Sequence, residues 1–117
     1  NAQFWMLGWV GGEVVDRVAR TETAYVHRGV KNLLRPSPVW SNLAAESVGR
    51  DLQQWTDAAV SIMEPDLVRE SYQNFPNLSL VDWQELYFAA NLQRLIDVKS
   101  TWDPENRFTS AQTLAPR

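Results

Sequence analysis

The sequence predicts an α+β fold, and three observations carry that expectation. Residues 3–10 join Phe4, Trp5, Leu7, Trp9 and Val10 with no charge among them, the pattern of a strand buried on both faces, and Gly11-Gly12 then breaks it. Farther along, Val48, Leu52, Trp55, Ala59 and Ile62 recur at helical spacing. A second helix is announced by Asp82 followed three residues later by Glu85, a capping-box pattern.

Taken in order, residues 13–23 are mixed and charged and read as a connection or an edge. The run Ala24-Tyr25-Val26-His27-Arg28 and residues 29–34 are rich in β-branched and aromatic side chains and predict one or two strands. Pro36 and Pro38 exclude a central, fully paired strand around them. The first helix is expected over about residues 42–63, capped by Ser41 or Asn42 and stopped by Pro65. Residues 64–81 read as a connection crossing the surface or lining a cleft, with a short extended piece over 71–75. The second helix is expected over about residues 83–99, with Trp83, Leu86, Tyr87, Ala90, Leu95 and Val98 on its apolar face. Asp103-Pro104-Glu105-Asn106 fits a type I turn, and residues 107–114, without helical period, form a tail.

Composition narrows the function. The 117 residues are 44% hydrophobic, enough for a buried core, and the net charge of -3 with scattered basic residues argues against nucleic acid or an anionic membrane surface as partner. With no cysteine and one histidine, neither a disulfide framework nor a metal site is expected. No apolar run approaches the roughly 20 residues of a membrane span. The opening Asn1-Ala2-Gln3-Phe4-Trp5 has no initiator Met and no signal-type core, so a cut through a larger protein is expected. Six Trp in so short a chain are expected mainly in cores or interfaces.

Residues 83–113 read W-Q-E-L-Y-F-A-A-N-L-Q-R-L-I-D-V-K-S-T-W-D-P-E-N-R-F-T-S-A-Q-T. This stretch resembles the signature that closes berberine-bridge-type flavoproteins: W, then Y-[FY]-G-x-N-x-x-R-L, V-K, an aromatic near D-P-x-N-x-F, and a final Q. The departures are Ala89 for the usual Gly, Arg107 for a frequent Val, and Thr113 for the commoner Ser. Ala89 is expected to be harmless, because a helix interior needs no left-handed backbone. Upstream, Tyr72-Gln73-Asn74-Phe75-Pro76-Asn77 resembles the family's Y-x-N-[YF]-x-D element, with Asn77 for Asp. Gly11-Gly12 and Thr23-Ala24-Tyr25-Val26-His27-Arg28 resemble its G-G…T-A-[FY]-x-H-R stretch.

The resemblance implies a two-domain enzyme: an N-terminal domain holds FAD, often covalently, and a second domain lays an antiparallel sheet over the flavin. Residues 1–81 would then be the end of the substrate-binding domain, with an active-site segment over about 70–77. Residues 82–117 would be the C-terminal segment, its tail returning to the FAD-binding domain. This chain would hold part of the antiparallel sheet with two covering helices, incomplete and inactive alone, beside a companion chain or missing N-terminal portion that carries the FAD.

Flavin-dependent alcohol oxidation needs a group that takes a hydroxyl proton while hydride leaves for the flavin. By the resemblance Tyr72 is that base or a substrate anchor; by residue chemistry alone it packs its ring and caps a backbone group. Asn74, two residues on, presents an amide that matches the flavin pyrimidine edge, or satisfies a local turn. Asn91, a polar residue inside a helix, with Tyr87 one turn earlier, is placed by the resemblance beside the flavin or holding the segment next to it. His27 is a candidate substrate contact or a satisfied structural histidine, and Arg94 a structural ion pair or carbonyl contact. Trp40, like Trp5 and Trp9, stacks on a sugar or aromatic substrate or serves the core.

The expected activity is oxidation of an alcohol, sugar or secondary metabolite by hydride transfer to FAD. The alternatives are an oxidative cyclase of the same family or a non-enzymatic aromatic-rich carbohydrate- or protein-binding module. Asn77-Leu78-Ser79 fits an N-glycosylation triplet, a faint sign of secretion.

Overall fold

The computed structural model describes residues 2–8, 10–41 and 45–117, with side chains from residue 8 onward in those spans. The chain gathers into two compact units, Asn1–Gly12 with Val30–Val68, and Glu13–Gly29 with Arg69–Arg117. Helices and strands are both present, as the α+β reading expects, and Val26 and Tyr87 are the buried apolar residues among those described.

In the first unit, strand β1 (Ala2–Gly8) pairs antiparallel with β2 (Asn32–Pro38), Trp5 standing opposite Arg35. The strand expected to begin before residue 30 begins at Asn32 and runs through both Pro36 and Pro38. Prolines fit there because, among the described residues, β1 is the one strand beside β2, so a missing N–H can fall on the side away from it. Whether β1 is buried on both faces concerns side chains outside the described residues, and so do the roles expected of Trp5 and Trp9.

Helix α2 (Glu46–Met63) packs on both strands. It starts later than residue 42: Ala45 is extended at its N-cap and makes no side-chain cap bond, so Ser41 does not cap it, while Asn42 lies outside the described residues. Pro65 ends it as expected, opening a 3-10 turn over Glu64–Asp66. The face turned inward is Gly49, Leu52, Gln53, Thr56, Ala59 and Met63, whereas Val48, Trp55 and Ile62 of the expected face are exposed. Two local contacts lie on the inward face. Trp40 lies against Gly49, where a β-carbon would stand 3.5 Å from the indole, and the Thr56 hydroxyl donates to the Leu52 carbonyl at 2.9 Å, which lets a polar side chain be buried.

In the second unit, the single turn α1 (Glu13–Asp16) leads into an irregular stretch, and residues 24–28 form no strand. The Arg28 amide donates to the Val26 carbonyl at 2.7 Å, a three-residue turn that bends the backbone away from any ladder while Val26 is fully buried. The segment over 71–75 is likewise a turn, closed by the Phe75 amide on the Tyr72 carbonyl at 3.0 Å, and not an extended piece.

The second helix is two helices, α3 (Trp83–Phe88) and α4 (Leu92–Trp102), joined by a 3-10 turn over Ala89–Asn91. Ala89 has φ 40° and ψ -122°, a backbone that glycine adopts freely and alanine resists. The expectation that an Ala costs nothing here is therefore corrected. Asp82 does not close a capping box either: its φ and ψ of -93° and 33° are not the extended values of a cap, and its carboxylate meets Arg69 at 3.2 Å. Ala90 and Val98 of the expected apolar face are exposed.

The turn at 103–106 forms, with the Asn106 amide on the Asp103 carbonyl at 3.0 Å. The Asp103 carboxylate organises the start of the C-terminal stretch, accepting from the amides of Arg107 at 2.7 Å and Phe108 at 3.0 Å and pairing with Lys99.

Candidate functional site

Tyr72 leaves the α2–α3 connection at a turn, and that turn brings Asn74 back onto it: Asn74 Nδ2 donates to Tyr72 Oη at 2.8 Å. The two residues expected to share the face of a strand meet instead across a turn, where a Gln-Asn-Phe-Pro sequence readily bends. The segment is anchored by the Ser71 amide on the Leu86 carbonyl of α3 at 2.9 Å.

Around the Tyr72 ring stand three others, all nearly perpendicular to it. Centroid separations are 6.0 Å to Tyr25, 6.1 Å to His27 and 5.6 Å to Phe75, distances at which edge-to-face rings attract. Tyr25 also meets His27 edge-on at 5.4 Å, and the Arg28 guanidinium lies 4.9 Å from the Tyr25 ring centre. Burial, followed by the neighbouring Tyr72 phenol, raises the Tyr25 phenol above its ordinary pKa of 10.0, with Arg28 pulling the other way. Tyr25 is thus a neutral hydroxyl at physiological pH, able to donate.

His27 is 5% exposed, and both its ring nitrogens are engaged. Nδ1 faces Glu70 Oε2 at 2.8 Å and Nε2 faces Gln73 Oε1 at 3.2 Å, while the other Glu70 oxygen pairs with Arg20. An acceptor at each nitrogen suits a doubly protonated ring; a neutral ring fits equally if the Gln73 amide is turned over. In the free chain the imidazole is therefore a held, inward group rather than an open substrate contact.

Asn91 and Tyr87 are turned inward as well. Asn91 Nδ2 donates to the carbonyls of Arg20 at 3.0 Å and Thr23 at 2.9 Å, and Arg94 meets the Thr21 carbonyl at 3.3 Å, so α4 holds the turn that carries Arg20. The Tyr87 hydroxyl accepts from the Asn77 amide at 2.9 Å and donates to Gln112 Oε1 at 3.2 Å; Gln112 Nε2 in turn donates to the Asn77 carbonyl at 2.9 Å. That closed set ties the C-terminal stretch to the segment after Tyr72.

A flavin presents a ring N–H flanked by carbonyls, and a side-chain amide matches that edge. Of the residues expected near the flavin, Asn74 is the exposed one, and its amide oxygen and second N–H have the required chemistry. Asn91 and Tyr87, 4% and 2% exposed, use the polar atoms just named within the unit. The fit to a flavin at this surface therefore rests on Asn74 and the Tyr72 hydroxyl beside it. Trp40 belongs to the first unit, half-exposed over Gly49. The sequence places Glu70 and Gln73 in the expected active-site segment and Tyr25 in the run over residues 23–28 but gives none of them a role, and it does not single out Arg20; their signal is closeness to Tyr72 and His27 along the chain.

Residues 71–114 match the family model described as berberine and berberine-like. Hexose oxidase of Chondrus crispus is 42% identical over 124 residues, covering 89% of this chain and 22% of that protein. An uncharacterised FAD-linked oxidoreductase of Bacillus subtilis is 31% identical over 121 residues, covering 99% of this chain and 25% of its own length. Berberine bridge enzyme-like 4 of Arabidopsis thaliana is 30% identical over 133 residues, covering 99% of this chain and 24% of that protein. The chain thus spans about a quarter of the length of these relatives. No solved structure matches it significantly.

Proposed function

Because this chain belongs to the berberine-bridge-like family of FAD-linked oxidoreductases, we propose that it forms the substrate-side wall of an FAD-dependent oxidase or dehydrogenase. Its substrate would be an alcohol whose hydroxyl proton is taken by Tyr72. The observation that carries the reading is the Asn74 amide donating to Tyr72 Oη at 2.8 Å, at a surface framed by Tyr25 and Phe75. When bound, FAD supplies the hydride acceptor.

The chain's own residues supply the rest. A hydrogen bond donated into Tyr72 Oη stabilises negative charge on that oxygen, the condition for it to accept a proton from substrate. The neutral Tyr25 hydroxyl orients the substrate oxygen, and the remaining amide groups of Asn74 meet the flavin edge. The cluster of Tyr72 with Tyr25 and Phe75 is an aromatic surface of the kind that packs against the C–H face of a sugar. With the similarity to a hexose oxidase, this favours a carbohydrate over a fused-ring secondary metabolite.

The FAD would be held mainly by protein outside these 117 residues, in a companion chain or a longer form of this one. An apolar groove along α4 and the C-terminal stretch, lined by Phe88, Leu95, Val98, Trp102, Phe108 and Leu114, supports that reading, with Trp102 81% and Phe108 79% exposed. The test is a visible spectrum of the complete protein, followed by anaerobic addition of hexoses and aromatic alcohols. Flavin absorbance bleached by a sugar is expected; a protein without flavin absorbance contradicts the proposal.

A further inference from the structure

Glu70 takes no part in the proton transfer just described, yet it stands behind the group that does. Its side chain is 13% exposed, and each carboxylate oxygen has its own donor: Arg20 on Oε1 and His27 Nδ1 on Oε2, the latter at 2.8 Å. A carboxylate so far out of water is tolerable only when paired in this way. Gln73 takes the far nitrogen of the same imidazole at 3.2 Å, so the His27 ring is clamped at both ends.

That ring is one corner of a triangle of edge-on aromatics. His27 stands at 87° to Tyr72 and 79° to Tyr25, and Tyr25 at 83° to Tyr72. Edge-to-face contacts fix direction as well as distance, so a ring that cannot turn limits how its neighbours turn. Glu70 and Gln73 flank Tyr72 in the chain at two residues and one, and both grip the imidazole its ring rests on. The hydroxyl of Tyr72 is then held at the other end by Asn74.

We propose that Glu70 is a positioning residue for Tyr72, acting through His27. Paired with Arg20, it locks the imidazole, and the locked imidazole sets the orientation in which the Tyr72 phenol meets the substrate hydroxyl. This rests on the reading of Tyr72 as the proton acceptor.

The experiment uses the complete, FAD-loaded protein and compares Glu70→Ala, Glu70→Gln, Tyr72→Phe and the Glu70→Ala/Tyr72→Phe pair. The limiting rate of flavin reduction and the substrate dissociation constant are read by anaerobic rapid mixing. Glu70→Ala is expected to slow reduction by about tenfold or more with little change in substrate affinity, as misorientation of a reacting group does. Glu70→Gln, which keeps the shape and one acceptor oxygen, should fall between, and it carries the test where the alanine variant does not fold. In the Tyr72→Phe background the Glu70 substitution should add little, because both changes act on one phenol. A second readout is independent of turnover: the Nδ1 proton of His27, assigned by its loss in His27→Gln, should be protected from exchange in nitrogen-15 spectra and lose that protection in the Glu70 variants. Additive effects in the pair, or an unchanged reduction rate in a folded Glu70 variant, overturn the proposal alone. A silent Tyr72→Phe overturns the proton-acceptor reading and the proposal with it.

Discussion

The side-chain nitrogen of Asn91 lies 2.9 Å from the carbonyl oxygen of Thr23, 68 residues earlier in the chain. It reaches the Arg20 carbonyl as well, so one amide at the joint between α3 and α4 fixes the turn from which Arg20 extends to Glu70. The route from α4 to Tyr72 then runs through Arg20, Glu70 and His27 without a gap. A motif asparagine that reads as a cofactor contact thus has a second, architectural task, with three residues between it and the phenol.

Asn91→Ala should destabilise the protein by about 1–3 kcal/mol, the cost of leaving buried polar groups without partners. Denaturant unfolding of the complete protein measures it, and the slope should stay constant while the midpoint falls. An unchanged midpoint would mean that the two carbonyls find water and that Asn91 does not hold the turn.

Ala89→Gly should do the opposite. At φ 40° and ψ -122° an alanine carries strain of the order of 1–3 kcal/mol, which glycine relieves in part, at a larger loss of chain entropy on folding. The net expectation is a gain of about 1 kcal/mol, seen as a higher melting temperature. A lower one would show that the joint is unstrained.

Asp103 makes stability depend on acid. The Lys99 ammonium bonded to it, helped by the Arg107 and Phe108 amides, holds its carboxyl below the usual range against the opposing effect of burial. A carboxyl lowered on folding contributes stability that is full above its unfolded value of about 3.9 and is lost as pH falls through the folded value. The melting temperature of Asp103→Asn should therefore lie below that of the unaltered protein at neutral pH, and the gap should close as pH drops below about 4. A gap that is the same at all pH values would assign the loss to packing.

What could be read in advance followed the strength of local chemistry. The stop at Pro65 and the turn from Asp103 to Asn106 rest on proline and a short acceptor, which act within a few residues, and both are present. The pairing of Tyr72 with Asn74 was legible, but its geometry was not, because a spacing of two fits a turn as well as a strand. Tyr25, Val26 and His27 have the composition of a strand, yet their partners are Glu70, Gln73 and Tyr72, more than 40 residues away, so the side chains rather than a ladder decide the backbone. Glu70 is a lone acid in an aperiodic segment, and only its closeness to Tyr72 along the chain marks it until the fold sets His27 against it. The break at Ala89 was hidden by the residue itself, since alanine is the strongest helix former and masks a position whose backbone suits glycine. The inward face of α2 escaped for a similar reason: Trp55 outweighs Gly49 in any count of apolar residues, but Gly49 is where Trp40 fits.

The most direct test is the rate at which substrate reduces the flavin in the complete protein carrying Tyr72→Phe. Loss of a proton acceptor should slow that step by about 10²–10⁴-fold while the visible spectrum shows FAD still bound. Reduction at the unaltered rate, with flavin content unchanged, would contradict the assignment of Tyr72 as the group that takes the substrate's proton.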